Sequence, residues 1–135
     1  MGQTYQNFQY LIVDGGSNDG SGNVIRDVNS PKLKAIVEED EGIYHAMNKA
    51  ISWATGEWLL FMNSGDVFVD CSSLELAMKN IIEGDEVLYA DWIYAKSGKY
   101  VKSSKKKMAI RHQSVIYKKA LHDIYGTYVV APDVT

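Results

Sequence analysis

Two strand-like apolar runs in this chain each open onto a glycine-rich acidic corner, and a third ends in an acidic residue. Tyr10-Leu11-Ile12-Val13 leads into Asp14-Gly15-Gly16-Ser17-Asn18-Asp19-Gly20, and Trp58-Leu59-Leu60-Phe61-Met62 leads into Asn63-Ser64-Gly65-Asp66. Val87-Leu88-Tyr89-Ala90 leads into Asp91. Ligands of open α/β sheets bind outside the carboxyl ends of the strands, where loops converge. A carboxylate placed there coordinates a hard divalent cation, and glycines let backbone approach a phosphate. The two glycine-bearing corners therefore point to a metal-assisted nucleotide site. Two motifs of similar composition do not fit. The loop from Asp14 to Gly22 lacks the glutamate that closes an EF-hand, and its glycines do not form Gly-x-Gly-x-x-Gly.

The elements that must position these corners are legible from the pattern of apolar residues. Phe8 to Val13 is short, apolar and closed by a Gly/Asn/Asp cluster, which predicts a buried strand. Gly20 to Val28 predicts a short helix that Asn18 or Asp19 would cap, and Ser30-Pro31 ends it. Leu33 to Val37 follows as a second strand, and Glu38-Glu39-Asp40-Glu41-Gly42 as an acidic loop. Ile43, Ala46, Met47, Ala50, Ile51 and Ala54 form an unbroken apolar stripe at helical spacing, with Gly56 as a stop. Trp58 to Met62 reads as a third strand. Leu74, Ala77, Met78, Ile81 and Ile82 read as a second amphipathic helix, capped by Ser72 or Ser73 and stopped by Gly84. Val87 to Asp91 predicts a strand, Lys99 to Val101 an edge strand, and Ser114 to Tyr117 a further apolar segment. Alternating strands and helices imply an α/β fold with a largely parallel sheet. Neither repeats nor a linker interrupt it.

Bulk composition narrows the classes. At 135 residues the chain is one domain's worth, with 46% hydrophobic and 23% charged residues, as in soluble globular proteins. A net charge of −3 speaks against a general nucleic-acid binder. No apolar run reaches the roughly 18 residues of a membrane span, and the polar start shows no secretory signal. The single cysteine, Cys71, cannot form an internal disulfide, which fits a reducing cytoplasm and an inert thiol.

Taken together, the motifs resemble an inverting family 2 glycosyltransferase with the GT-A fold. The resemblance is carried by Gln3-Thr4-Tyr5-Gln6-Asn7-Phe8, Ile12 to Gly20, and Glu39-Asp40-Glu41-Gly42-Ile43-Tyr44-His45-Ala46-Met47-Asn48-Lys49. It continues through Ala54-Thr55-Gly56-Glu57-Trp58, Phe61 to Asp66, Tyr89-Ala90-Asp91, His112-Gln113-Ser114 and Ala131-Pro132-Asp133. It is nearest to the bacterial subgroup that builds colanic acid and similar surface polysaccharides. The family resemblance implies an earlier strand and helix with a Pro-x-Tyr-Asn-like element, and further helices after the last motif. The expectation is thus a single partial GT-A domain over 1–135, a Rossmann-like and mostly parallel sheet flanked by helices that lacks the family's first strand. The neighbours of that strand would need partners, through a homodimer or a rearrangement of strands.

The resemblance implies transfer of a sugar from a nucleotide diphosphate donor, of UDP type, to a saccharide or lipid-linked acceptor, with Mn²⁺ or Mg²⁺ as cofactor. Such a cation neutralises charge on the leaving diphosphate, and a carboxylate base takes the acceptor's proton. By the same resemblance Asp66 is the metal ligand, standing alone where the family commonly offers two carboxylates, with turn closure as its other reading. Asp14 resembles the aspartate that bonds the base or ribose, or else it satisfies loop amides; Asp19 fits a helix cap. Asp40 resembles a position facing the nucleotide, in an acidic run that would otherwise be a solvated surface. Tyr44 and Asn48, spaced i, i+4, would line the donor pocket or form a polar helix edge. His45 stands where an aspartate is usual and inherits no role. Asp91 resembles an acceptor-side position or closes a strand-end turn. His112 would contact diphosphate or metal, or be structural. Asp133 matches the late acidic position of the catalytic base. Lys105-Lys106-Lys107 is either a solvated loop or an attractor for diphosphate or for a lipid-linked acceptor at an acidic membrane, a peripheral contact at its inner face. The competing class is a nucleotide-binding or interaction module without catalysis.

Overall fold

The structure, a computed structural model, describes residues 2–104 and 111–130. Lys105-Lys106-Lys107 and Asp133 lie outside the described residues. The chain forms two compact units: one from Met1–Asn7 and Trp58–Lys118, the other from Phe8–Glu57 and Lys119–Thr135.

The second of these units begins with strand β1 (Tyr10–Asp14), followed by helix α1 (Ser21–Asp27), strand β2 (Leu33–Val37) and helix α2 (Ile43–Trp53). β1 and β2 pair in parallel, from Tyr10 against Leu33 to Asp14 against Val37. α2 packs on β1. Its stripe buries Met47 and Ile51, with Ala54 just past the last turn, against a core that includes Ile36, while Ile43 at the first turn is exposed. Burying Met47 and Ile51 stabilises the unit by roughly 1.5–3 kcal/mol each. The Lys119 ammonium donates to the Ala54 carbonyl at 2.6 Å, satisfying one of the helix's C-terminal acceptors. α1 takes its cap from Asp19, whose Oδ1 accepts the Ser21 N–H at 2.9 Å.

In the first unit, β3 (Trp58–Leu60), α3 (Ser73–Lys79), β4 (Val87–Tyr89), the hairpin β5 (Trp92–Tyr94) and β6 (Lys99–Val101), and β7 (Val115–Lys118) follow in order. β7 lies between β3 and β4 and is antiparallel to both. Leu59 and Ile116 form its buried centre. A short helix α4 (Leu121–Tyr125) returns the chain to the other unit.

The α/β content is as expected, but the described strands do not form one mostly parallel sheet. They form a parallel pair, a three-stranded antiparallel sheet and an antiparallel hairpin. Periodicity reports that a segment is a strand and not which way its partner runs. Helix α3 also stops short of Ile82. Asn80 turns its side-chain amide back onto the Leu76 carbonyl at 2.8 Å, and Asp85 closes a turn by accepting the Ile82 N–H at 3.0 Å. Among the described residues no helix is long and apolar enough to cross a membrane.

The N-terminus of α3 is capped from a distance. Gln3, only 9% exposed, accepts the Leu74 N–H at 2.9 Å through Oε1 and donates from Nε2 to the Asp70 carbonyl at 2.7 Å. Thr4 adds a backbone bond to the Cys71 carbonyl at 2.7 Å. Ser72, the sequence-level cap, makes no capping bond; its hydroxyl goes to Asp70 at 2.8 Å. Because Gln3→Ala removes the cap from a part-buried helix donor, it is expected to cost about 1–2 kcal/mol. Ser72→Ala is expected to cost no more than about 0.5 kcal/mol, as an exposed substitution. Urea midpoints of the two variants check the order; a larger loss in Ser72→Ala would refute the remote cap.

Candidate functional site

The parallel register of β1 and β2 fixes the first cluster. Asp14 lies opposite Val37 at the carboxyl end of both strands, and the Glu38 N–H extends the ladder to the Asp14 carbonyl at 3.0 Å. The Asp14 side chain then folds over its own loop: Oδ1 accepts the N–H groups of Gly16 at 3.1 Å and Ser17 at 2.8 Å. These bonds, the Ser17 backbone bond foremost, hold the carboxyl below the usual carboxylate range. Gly16 has φ +87°, a left-handed conformation that glycine adopts without penalty.

Asp40 meets this loop from the next one. A Cβ on Gly15 would fall 2.7 Å from Asp40 Oδ2 and 3.0 Å from Cγ, so only a residue without a side chain lets the carboxylate settle there. Asp40 Oδ1 also accepts the Gly42 N–H at 2.9 Å, immediately before α2. Within the acidic loop, Lys49 reaches back from α2 to Glu38 at 3.1 Å and to the Glu39 carbonyl at 2.8 Å. The Glu41 N–H donates to His45 Nδ1 at 3.0 Å, which gives His45 a place in anchoring the helix start.

The structure thus brings Asp14 and Asp40 together on one rim. Carboxylates accept and do not donate, so this rim suits the imide or hydroxyl donors of a base and ribose better than it suits phosphate oxygens.

Tyr44 and Asn48 share a face, as their spacing requires, and both meet the segment after α4. Asn48 makes a two-point clamp on the Tyr128 backbone, donating from Nδ2 to the carbonyl at 2.8 Å and accepting the N–H at Oδ1 at 2.9 Å. The Tyr44 and Tyr128 rings stack with centroids 5.5 Å apart, and His122 sits edge-on to Tyr128 at 5.6 Å. Sequence reasoning did not find Tyr128 or His122, since their partners lie far along the chain and leave no local signal.

In the other unit a second rim forms. β3 and β4 are both antiparallel to β7, so their carboxyl ends and the start of β7 share one end of the sheet. Asp66, Asp91 and His112 all follow or precede those ends. Asn63 to Asp66 is a tight turn: the Asp66 N–H bonds the Asn63 carbonyl at 3.0 Å, Gly65 takes φ +91°, and Asp66 Oδ2 accepts the Asn63 N–H at 2.8 Å. His112 opens a single 3₁₀ turn, His112–Ser114, whose buried Ser114 bonds the Arg111 carbonyl at 2.8 Å and accepts the Ala90 N–H at 2.8 Å.

Asp91 braces the hairpin. It accepts the Tyr100 hydroxyl at Oδ2 and the Ser103 N–H at 2.8 Å at Oδ1. The Tyr100 bond is the main reason its carboxyl lies below the usual range, and the same bond raises the phenol of Tyr100.

Among the described residues no group of three or more His, Cys, Asp or Glu is arranged to hold a metal ion. The donor set at Asp66 is one exposed carboxylate with one oxygen engaged in its turn. That fits a hard cation only if phosphate oxygens and water supply the remaining ligands.

A family model described as Glycosyl transferase family 2 matches residues 1–131. A protein named PGL/p-HBAD biosynthesis glycosyltransferase from Mycobacterium bovis is 30% identical over 138 aligned residues, covering 93% of this chain and 54% of its own length. A protein of the same name from Mycobacterium tuberculosis matches to the same extent. An uncharacterized glycosyltransferase from Rickettsia felis is 30% identical over 105 residues, covering 75% of this chain and 17% of its own length. The chain spans about half the length of the mycobacterial relatives.

Two outcomes follow from the first rim. Gly15→Ala is expected to displace the Asp40 carboxylate and to destabilise the chain by about 0.5–1 kcal/mol, the contact being at an exposed loop and with the end of a side chain. Adding Asp40→Ala should recover part of that loss, so thermal unfolding of the two singles and the double should be clearly non-additive; simple additivity would refute the contact. The Asp14 carboxyl is lowered from its ordinary 3.8 in the folded chain. The stability it adds is therefore complete above that value and is lost as pH falls through the folded value. Acid unfolding followed by circular dichroism should show this slope, and Asp14→Asn should flatten it; an unchanged slope would refute the role.

Proposed function

The chain belongs to glycosyl transferase family 2, and we propose from this that it carries the nucleotide-sugar half of an inverting, metal-assisted transferase acting in surface-polysaccharide biosynthesis. The donor is a UDP-sugar and the acceptor a saccharide or a lipid-linked saccharide. The observation that carries this reading is the Asp40 carboxylate seated against Gly15 beside Asp14, an acceptor-only rim at the carboxyl ends of parallel strands. The mycobacterial relatives, named as biosynthesis glycosyltransferases, support a biosynthetic transfer.

Asp14 and Asp40 accept the donor N–H and O–H groups of the base and ribose, while Tyr44 and Asn48 border that end of the donor through the segment they hold. Asp66 holds Mn²⁺ or Mg²⁺, which would neutralise charge on the leaving diphosphate. His112 donates to a diphosphate oxygen, and Asp91 lies toward the acceptor. Asp133, outside the described residues, takes the proton of the acceptor hydroxyl as its oxygen attacks the anomeric carbon from the face opposite the diphosphate. The bond to the diphosphate oxygen breaks as the new glycosidic bond forms, so the configuration inverts.

A module that binds nucleotide without turnover is the second reading. It is favoured by the lone carboxylate of Asp66, since among the described residues nothing completes a three-ligand set.

Thermal unfolding of the chain with UDP, GDP, dTDP or CMP, each with Mn²⁺ or with EDTA, tests the donor site. UDP with Mn²⁺ is expected to stabilise by about 2.7 kcal/mol at a hundredfold excess over Kd. EDTA or Asp66→Ala should remove most of that shift and Asp14→Ala all of it. Release of UDP from a UDP-sugar in the presence of acceptor separates transferase from binding module. No shift with any nucleotide would overturn both readings.

A further inference from the structure

Charge is distributed very unevenly along this chain. Seven of the fourteen Lys and Arg residues fall between Trp92 and Arg111, a stretch without a single Asp or Glu. The rest of the chain carries the other seven against all seventeen acidic residues. A protein of net charge −3 therefore has one strongly cationic segment, and the β5–β6 hairpin is its described part.

The hairpin is also apolar on its outside. Ile93 pairs across the strands with Tyr100. Alternation along a strand puts this pair on one face, and both side chains stay out in solvent, Ile93 at 43% and Tyr100 at 60% exposure. Lys96 in the connecting turn and Lys102 after Tyr100 are exposed as well, while Lys99, next to Tyr100, is exposed on the opposite face by the same alternation. The acidic neighbour Asp91 accepts the Tyr100 hydroxyl and the Ser103 N–H and keeps its negative charge, which Lys102 partly offsets. The turn itself is well closed: the Gly98 N–H bonds the Tyr94 carbonyl at 2.8 Å with Gly98 at φ +65°. A rigid hairpin that shows a branched aliphatic and a tyrosine between lysines combines the two terms of interfacial binding, apolar insertion at headgroup depth and attraction to anionic lipid.

We propose that the β5–β6 hairpin is a docking surface for an anionic lipid bilayer, with Ile93 and Tyr100 entering the interface and Lys96 and Lys102 facing lipid phosphates. The contact is peripheral. A nucleic-acid partner would use the same cations, but an aliphatic side chain at the centre of the patch adds nothing to phosphate contacts, whereas it adds insertion at a bilayer. The proposal stands apart from the donor site, so vesicle binding and nucleotide binding fail independently.

The test is co-sedimentation of the purified chain with vesicles of neutral phosphatidylcholine and with vesicles containing about a third phosphatidylglycerol. Binding is expected to the anionic vesicles alone, and to fall steeply between low and high salt as the charges are screened. Lys96→Ala/Lys102→Ala should weaken it by about fivefold per lysine, roughly twenty-fivefold together, and Lys99→Ala, on the opposite face, should weaken it less than either. Ile93→Ser should weaken it several-fold without altering the salt dependence. The control Arg26→Gln/Lys79→Gln, removing charge elsewhere, should bind as the parent does. Binding that ignores lipid charge, survives the lysine and Ile93 substitutions, or falls as much in the control would overturn the proposal. So would absence of vesicle binding together with retention on heparin or single-stranded DNA, which would assign the patch to a polyanion in solution.

Discussion

Five consecutive backbone pairings between β1 and β2 decide where the chemistry of their unit can be. With Tyr10 held opposite Leu33, Asp14 must arrive opposite Val37, and the loops beyond both residues must leave on the same side of the sheet. A slip of one residue would turn the Asp14 side chain to the other face and take Asp40 out of reach of Gly15. The glycines are the complement of that register. Two chains of acidic loop converge on the ends of adjacent strands, and there is room for the Asp40 carboxylate only because Gly15 has no Cβ. The antiparallel sheet follows the same logic by another route: because β7 runs between β3 and β4, the turn at Asp66, the hairpin brace at Asp91 and the short helical turn at His112 are delivered to one end.

Carboxylates at these rims serve the fold before they serve any ligand. Asp14 closes its loop, Asp66 its turn, and Asp91 gives both oxygens to the hairpin. A lone aspartate at a strand end can always be used this way, since a nearby backbone donor costs nothing to reach and an unsatisfied one is expensive. The two uses are compatible where an oxygen retains lone pairs. A carboxylate whose loop is already tied is also preorganised, and a ligand that meets it does not have to order the loop first.

Much of this was legible in the residues. Leu33 to Val37 is a strand with the bounds its composition implies, and the stripe from Ile43 gives helix α2. These are local patterns, repeated over several turns or residues, and the backbone reads them directly. What could not be read depends on partners far away in sequence. The direction of β7, the capping of α3 by Gln3 over 71 positions and the clamp of Asn48 on Tyr128 over 80 positions leave no periodic trace. Ser72 stood in the right place for a cap and Gln3 had no mark to distinguish it. Helix α3 ended early for a similar reason, because Asn80 caps it with its own amide while the apolar spacing runs on to Ile82.

The Asn48 clamp has a consequence for the order in which a ribosome can complete this chain. By the time α3 emerges, Gln3 has long been made, so its cap can close at once. α2 is synthesised early too, but the backbone that Asn48 holds is not present until Tyr128 has been translated, with Trp58–Lys118 of the other unit made in between. The nascent chain must therefore carry the Tyr44–Asn48 edge of α2 exposed to solvent through most of its synthesis. The unit that holds this helix is therefore closed only after residues 58–118 of the other have been made.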